Sequence, residues 1–233
     1  MKVELISHTN NPIMTCAIAA SMCYQSTPSV AVVKQCIASG HHSVLEHCSF
    51  TFKITNVSRT LLAQLTRHRL ASFSVESQRY SKYTDTDVNF IIPGTLGGGD
   101  VADLIKTSAN ISLQLYNDLV KHEIKCEDAR AVLPNCMSTN LVMTVNLREL
   151  ATICNLRLCM NAQLEIRTLF YEIKDLLLSH PDFDENDQEI FKLLLVPNCE
   201  KHQYAFCTEA KCCGRHKRLS TLLADNVNVK KRW

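Results

Sequence analysis

The sequence has no apolar run approaching the roughly 18 residues a helix needs to cross a membrane. Its first residues, Met1-Lys2-Val3-Glu4-Leu5-Ile6, carry no apolar core of a signal peptide. Both absences predict a cytoplasmic protein with no membrane partner. Net charge is nearly absent too: 25 Lys and Arg against 23 Asp and Glu leave +2. That is too little for bulk attraction to nucleic acid, so no nucleic-acid partner is expected and any basic patch must be local. The one glycine run, Gly97-Gly98-Gly99-Asp100, lacks the Lys-Ser/Thr of a phosphate-binding loop and reads as a plain turn. No repeat or low-complexity linker divides the chain. What remains is a 233-residue globular composition, 46% hydrophobic and 21% charged, able to bury one substantial core.

Cysteine is abundant, with 12 residues. In a reducing compartment these stay thiols, and Cys16, Cys36 and Cys154 lie in apolar periodic segments that suit small core residues.

Val3 to Ile6 reads as a strand. Pro12 to Tyr24 reads as a helix capped by Asn10 or Asn11, with Met14, Ile18 and Met22 as its packed face beside Ala17 and Ala20. Ser29 to Ser39 is a second helix stopped by Gly40. Cys48 to Thr55 alternates, with Phe50, Phe52 and Ile54 facing inward, and Ser58 caps the next helix. Val88 to Ile92 is a short strand ended by Pro93. Asp100 is expected to cap a helix from Val101 to about Ile124, buried through Leu104, Ile111, Leu115 and Leu119. Acids at Glu127 and Asp128 suit a helix start that Pro134 ends. Leu141, Met143 and Val145 share one face of a strand over Asn140 to Asn146, and Asn146 caps the following helix. A long helix after Asn161 buries Ile166, Phe170, Ile173 and Leu177.

The densest chemistry lies between Gln64 and Tyr83. Arg67, His68, Arg69 and Arg79 stand beside Ser72, Ser74, Ser77 and Gln78, offset only by Glu76. Arginine forks bind phosphate or carboxylate oxygens bidentately, so the stretch suits an anionic ligand such as a nucleotide phosphate. A solvated basic face is the alternative. The apolar set Leu61, Leu62 and Leu65 anchors the element and favours the site.

Two other stretches carry ligand-type side chains. Gly40-His41-His42-Ser43-Val44-Leu45-Glu46-His47 has three histidines and an acid but no regular frame to gather them around a metal. The tail, with Cys199, His202, Cys207, Cys212, Cys213 and His216, has zinc-ligand types at spacings unlike a common finger. Structural zinc and free thiols on a peripheral tail both stay open, and no metal ligand is assigned. Lys230 to Trp233 reads as a frayed end.

Arg67-His68-Arg69, seven residues, then Ser77-Gln78-Arg79-Tyr80 resembles the signature of the flavin-dependent thymidylate synthases (ThyX). Four further segments resemble the family in the right order, from about Val3 to Leu178. They are His41-x-Ser43-x-x-Glu46-His47, Glu127-x-Ala129-Arg130-x-x-Leu133-Pro134, Thr144-Val145-Asn146-x-Arg148-Glu149-Leu150, and Asn155-Leu156-Arg157 continuing to Ala162-Gln163-x-Glu165-Ile166.

The resemblance implies an FAD-dependent methyltransferase. It would convert dUMP to dTMP with 5,10-methylenetetrahydrofolate as one-carbon donor and NADPH as reductant. No cysteine falls in the signature, in keeping with a family that uses no cysteine nucleophile. By resemblance His41, Ser43, Glu46, Arg67, His68, Arg69, Asn146, Arg148 and Thr152 bind flavin. Gln64, Arg67, Ser77, Gln78, Arg79, Arg130 and Arg157 bind dUMP, with Ser77 a phosphate contact rather than a nucleophile. Arg157 is the catalytic residue, its cation stabilising charge on the pyrimidine. The implied fold is α+β, a twisted, largely antiparallel sheet with flanking helices over residues 1–196, followed by the Cys/His-rich tail 197–233. A homotetramer with sites at subunit interfaces is implied as well. The chain departs from the family where Ser74-Val75 replaces a common Asn-Glu, and at Thr152, where Asn or His is often seen. The alternative function is a non-catalytic nucleotide- or RNA-binding protein with an Arg-rich site and a zinc tail.

Overall fold

The structure is a computed structural model that describes residues 1–83, 88–201 and 204–225. His202 and the Lys230 to Trp233 end lie outside the described residues. In chain order the elements begin with β1 (Lys2–His8), α1 (Pro12–Tyr24), α2 (Val30–Ala38), a 3-10 helix over His42–His47, β2 (Ser49–Ser58) and α3 (Arg59–Leu65). They continue with β3 (Ser72–Val75), α4 (Asp100–Lys121), α5 (Cys126–Ala129) and β4 (Ser138–Asn146). Last come α6 (Leu147–Arg157), α7 (Leu164–Ser179), α8 (Glu185–Leu194) and α9 (Leu219–Ala224). The strands form one four-stranded sheet in the order β1-β2-β4-β3, so the fold is α+β. No helix among the described residues is long and apolar enough to cross a membrane.

β2 and β4 run antiparallel. The Thr51 and Thr144 hydroxyls meet at 3.0 Å, and Arg59 N–H donates to Met137 O at 3.1 Å. Between these pairings β2 has one residue more than β4. Asn56 takes up the surplus at φ 59°, a left-handed conformation that Asn tolerates better than most residues.

The chain groups into two compact units. One comprises Met1–Val3, Lys53–Arg69 and Phe73–Met143. Its core holds Ile54, Leu61, Leu65, Tyr116, Met137 and Leu141. Ser58 Oγ accepts the Leu61 N–H at 3.0 Å, capping α3 as the sequence predicts. The other comprises Glu4–Phe52, Leu70–Ser72 and everything from Thr144 onward. There Phe50 meets Phe183 and Phe191 edge-on, with centroids 6.0 and 5.7 Å away. Ile166, Phe170, Ile173 and Leu177 of α7 are fully buried, as expected.

Four expectations need correction. On α1 the buried stripe is Ile13, Cys16, Ala17 and Ala20, while Met14, Ile18 and Met22 are 43, 48 and 73% exposed. The helix is apolar nearly all round, and the side with small residues is the one α2 can approach closely. On α4 the buried residues are Ala102, Ala109 and Tyr116, and Leu104, Ile111 and Leu115 are exposed. The covered face is marked by Ala102, Ala109 and Tyr116 at two-turn spacing, two small residues and one large aromatic. Asp100 is the first residue of α4 rather than its cap, with Gly99 at φ 73° making the entry. Val88 to Ile92 forms no strand, only an isolated antiparallel bridge from Phe90 to Met137. From Asn140 onward the same edge of β4 is taken by the end of β3, where Glu76 N–H donates to Asn140 O at 2.9 Å, and Pro134 bounds the pairing at the other end.

α8 was not anticipated. Asp184 and Asp187 form a reciprocal capping box at its start, and Asp187 Oδ1 also accepts the Ile13 N–H at 3.1 Å.

Candidate active site

In the second unit, the start of α6 sets the geometry. Asn146 Oδ1 accepts the Glu149 N–H at 2.9 Å, which fixes the first turn of the helix. Arg148 and Thr152, four residues apart, then lie on one face, and Thr152 Oγ1 donates to Arg148 O at 3.0 Å. Arg148 also donates to Glu46 at 2.5 Å. Glu46 belongs to the 3-10 helix over His42–His47, a frame the sequence reading did not expect.

Glu46, Asn146, Arg148 and Thr152 line one cavity of about 380 Å³ together with Leu70 and Glu149. Arg148 and Thr152 also line a neighbouring cavity of about 270 Å³ with His42, Asn155 and Lys201. Four of the residues expected to bind cofactor thus converge, and Arg148 and Thr152 belong to both walls. His41 and Ser43 are exposed and flank His42, outside both linings. Burial pushes the Glu149 carboxyl up, against the lowering influence of Arg148. Burial likewise pushes the Lys201 ammonium down. Asn155 keeps a buried Oδ1 without a hydrogen-bond partner at the cavity wall.

Arg157 is the last residue of α6 and is half-buried. It lies nine residues after Arg148, about half a turn round the helix axis, so it faces away from the Arg148 and Thr152 side. Its position at the helix C-terminus favours a cation.

In the first unit, the Arg67-His68-Arg69 triplet follows α3. His68 is turned inward at 8% exposure, whereas Arg67 and Arg69 are exposed. The triplet therefore presents two guanidinium groups, not three cations. Gln64 Nε2 donates to Thr60 O at 3.3 Å within the helix. After β3 the chain turns tightly. Ser81 N–H donates to Ser77 O at 3.0 Å, and Arg79 N–H to Ser77 Oγ at 3.2 Å. The Gln78 amide lies 3.4 Å from Met137 Sδ.

This turn aims Arg79 at Glu127, Nε to Oε2 at 2.6 Å, with its guanidinium 5.4 Å from the Tyr80 ring centroid. Arg130 Nε donates to Glu127 O at 3.0 Å. Arg79, by hydrogen bond and charge, holds the Glu127 carboxyl below the usual carboxylate range, helped by Lys125 and Arg130. Arg79 and Arg130, 51 positions apart, thus gather at one residue. Glu76 has framework partners instead: its carboxylate accepts from Tyr83 at 3.0 Å and from Asn140 at 2.8 Å.

Glu127, Asn155 and Lys201 were not assigned roles from the sequence. Glu127 stands in the Glu127-x-Ala129-Arg130 motif, which gives it no role of its own. Asn155 opens another, and Lys201 lies in a tail that carried only metal-ligand signals.

A family model described as thymidylate synthase complementing protein matches residues 4–180. A flavin-dependent thymidylate synthase of Geobacter sulfurreducens is 38% identical over 186 residues, 74% of this chain and 80% of that protein. One from Pyrococcus furiosus is 32% identical over 225 residues, 90% of each. The fold is similar to that of Helicobacter pylori thymidylate synthase X crystallised with FAD and dUMP. That match has a TM-score of 0.66 and 24% identity, and covers 84% of this chain and 99% of that one.

Proposed function

The chain belongs to the flavin-dependent thymidylate synthase family, and from that premise we propose how its residues divide the work of methylating dUMP to dTMP. The observation that carries the division is the convergence of Glu46, Asn146, Arg148 and Thr152 on one cavity, in a chain whose relatives are named for flavin.

The donor set fits FAD. An arginine, two amides and a hydroxyl around adjoining cavities of about 270 and 380 Å³ offer charge and directional bonds to a polar, anionic cofactor. Arg148, Asn146, Thr152 and Glu46 would hold it, with His41 and Ser43 at the flank and the exposed Arg67 and Arg69, rather than the buried His68, as further contacts. When bound, FAD supplies the redox chemistry, drawing on NADPH, for the one-carbon unit of 5,10-methylenetetrahydrofolate. Ser77, Gln78, Arg79 and Arg130 take the phosphate and sugar of dUMP, assisted by Gln64. Glu127 orients the two guanidinium groups. Arg157 places a fixed cation against the pyrimidine, where charge develops when the ring is activated.

We place the enzyme in the cytoplasm, in keeping with twelve unpaired cysteines. A homotetramer with sites at subunit interfaces is supported by the two exposed apolar stripes, Met14/Ile18/Met22 and Leu104/Ile111/Leu115. The non-catalytic nucleotide- or RNA-binding alternative has no support among the relatives.

The test is purification followed by absorption spectroscopy and an NADPH oxidation assay. A flavin spectrum and oxidation that depends on dUMP and methylenetetrahydrofolate, with dTMP formed, are expected. A colourless protein that cannot be loaded with FAD, or one that makes no dTMP, overturns the proposal.

A further inference from the structure

The segment after Val196 folds back over the end of α6. Asn161 Nδ2 donates to Lys211 O at 2.6 Å, and Asn198 Nδ2 to Thr208 Oγ1 at 3.2 Å. Cys207 N–H donates to Lys217 O at 2.9 Å. Among these contacts lies a cavity of about 10 Å³, the space of a single small particle. Its lining includes Cys159, Cys199, Cys207, Cys213 and His216.

The Sγ of Cys199, a Glu200 carboxylate oxygen and a His216 ring nitrogen all lie within 4.8 Å of one another. A zinc ion with bonds of about 2.0–2.3 Å spaces its tetrahedral ligands roughly 3.3–3.8 Å apart, so Cys199 and His216 already stand near ligand spacing. Glu200 Oε1 stands 3.2 Å from His216 Nε2 and 2.7 Å from Arg215 Nη2. A carboxylate on one ring nitrogen is the usual way to orient a histidine whose other nitrogen ligates a metal.

We propose that Cys159, Cys199, Cys207 and His216 form a structural site for a thiophilic divalent cation of the zinc class. Glu200 fixes the imidazole through Nε2 and leaves Nδ1 for the ion. Arg215 offsets the surplus negative charge of three thiolates. Cys213 is exposed and stands at the mouth. Cys159, half-buried, and Cys207, buried, line the same cavity and are the thiols assigned to complete a four-coordinate set.

The ligands explain what the site does. Cys159 lies two residues after Arg157, and Cys199 lies two residues before Lys201 at the wall of the 270 Å³ cavity. One ion would therefore pin the tail to α6 beside two residues of the site. The sequence alone assigns no metal because the tail spacings, 8 and 9 residues between Cys199, Cys207 and His216, match no common finger, and Cys159 lies 40 positions before Cys199.

The experiment uses the full-length protein, purified without chelator and with thiols reduced. Elemental analysis is expected to find roughly one zinc per chain, and absorption at the zinc edge to show three sulfurs and one nitrogen. Cys199→Ser and His216→Ala lose the metal, while Cys213→Ser and the exposed control Cys23→Ser keep it. Chelation lowers the thermal midpoint of the wild type by at least about 5 °C. Wild-type protein refolded with zinc that holds no metal after desalting overturns the proposal. So does an edge spectrum dominated by oxygen ligands, or zinc retained by a Cys199→Ser/His216→Ala double variant. If the variants fail to fold, the wild-type edge spectrum decides alone.

Discussion

Arg79 and Glu127 face each other at 2.6 Å, and the carbonyl of the same Glu127 accepts from Arg130. One acidic residue thus aligns two guanidinium groups from distant parts of the chain. Both are solvent-accessible, so the pair's value is in direction more than in stability.

Glu127→Gln keeps the shape and removes the charge. The KM for dUMP is expected to rise about three- to tenfold with kcat within about twofold of wild type, the signature of lost binding rather than lost chemistry. Steady-state titration with dUMP checks it. An unchanged KM would mean that Arg79 finds the phosphate without guidance.

Arg148 belongs to the walls of both cavities proposed to hold FAD, so its loss should be felt as lost flavin. Arg148→Ala is expected to purify with less than about a tenth of the wild-type flavin, and Arg148→Lys to keep more of it. The ratio of flavin to protein absorbance measures this directly.

Arg157→Lys retains a cation but not the planar fork. If that fork stabilises charge on the pyrimidine, kcat falls about 100- to 1000-fold while flavin content is unchanged. Rapid-mixing assays of dTMP formation separate this from slower cofactor reduction.

Glu149 carries a pH signature. Burial raises its folded pKa, so the folded state holds the proton more tightly than the unfolded chain. Its contribution is therefore greatest below the ordinary carboxylate value and is lost as pH rises through the raised value. The thermal midpoint of Glu149→Gln should gain on wild type across that window. Parallel midpoint curves would show that the carboxylate is fully compensated.

Asp187 joins the capping box of α8 to the N–H of Ile13. Asp187→Ala removes both, costing about 2 kcal/mol or more and lowering the thermal midpoint by roughly 4–8 °C. Calorimetry settles the size.

How far the sequence could be read depended on what kind of signal each segment carried. Phe50, Phe52 and Ile54 alternate with polar residues, leaving one choice of inner face. Ser58 precedes a leucine-rich turn, and its cap follows. α1 gave no such choice, because Met14/Ile18/Met22 and Ile13/Cys16/Ala17/Ala20 are both apolar stripes. Periodicity finds a stripe but not the surface that covers it. The same gap misplaced the face of α4. Among the residues lining the 380 Å³ cavity, Glu46, Asn146 and Arg148 are legible through family motifs, and Thr152 as a position where the chain departs from the family. Glu127 was overlooked because acids early in a helix already have an explanation in the helix dipole. Lys201 was invisible because only tertiary folding brings the tail to that wall.

Lys201 has one more consequence. An amine that grips its proton less firmly than a surface lysine is the better nucleophile at neutral pH. Acylating or aldehyde reagents used sparingly would label it ahead of its exposed counterparts. Whatever fills the space beside it would then shield it, making this one side chain a chemical gauge of occupancy.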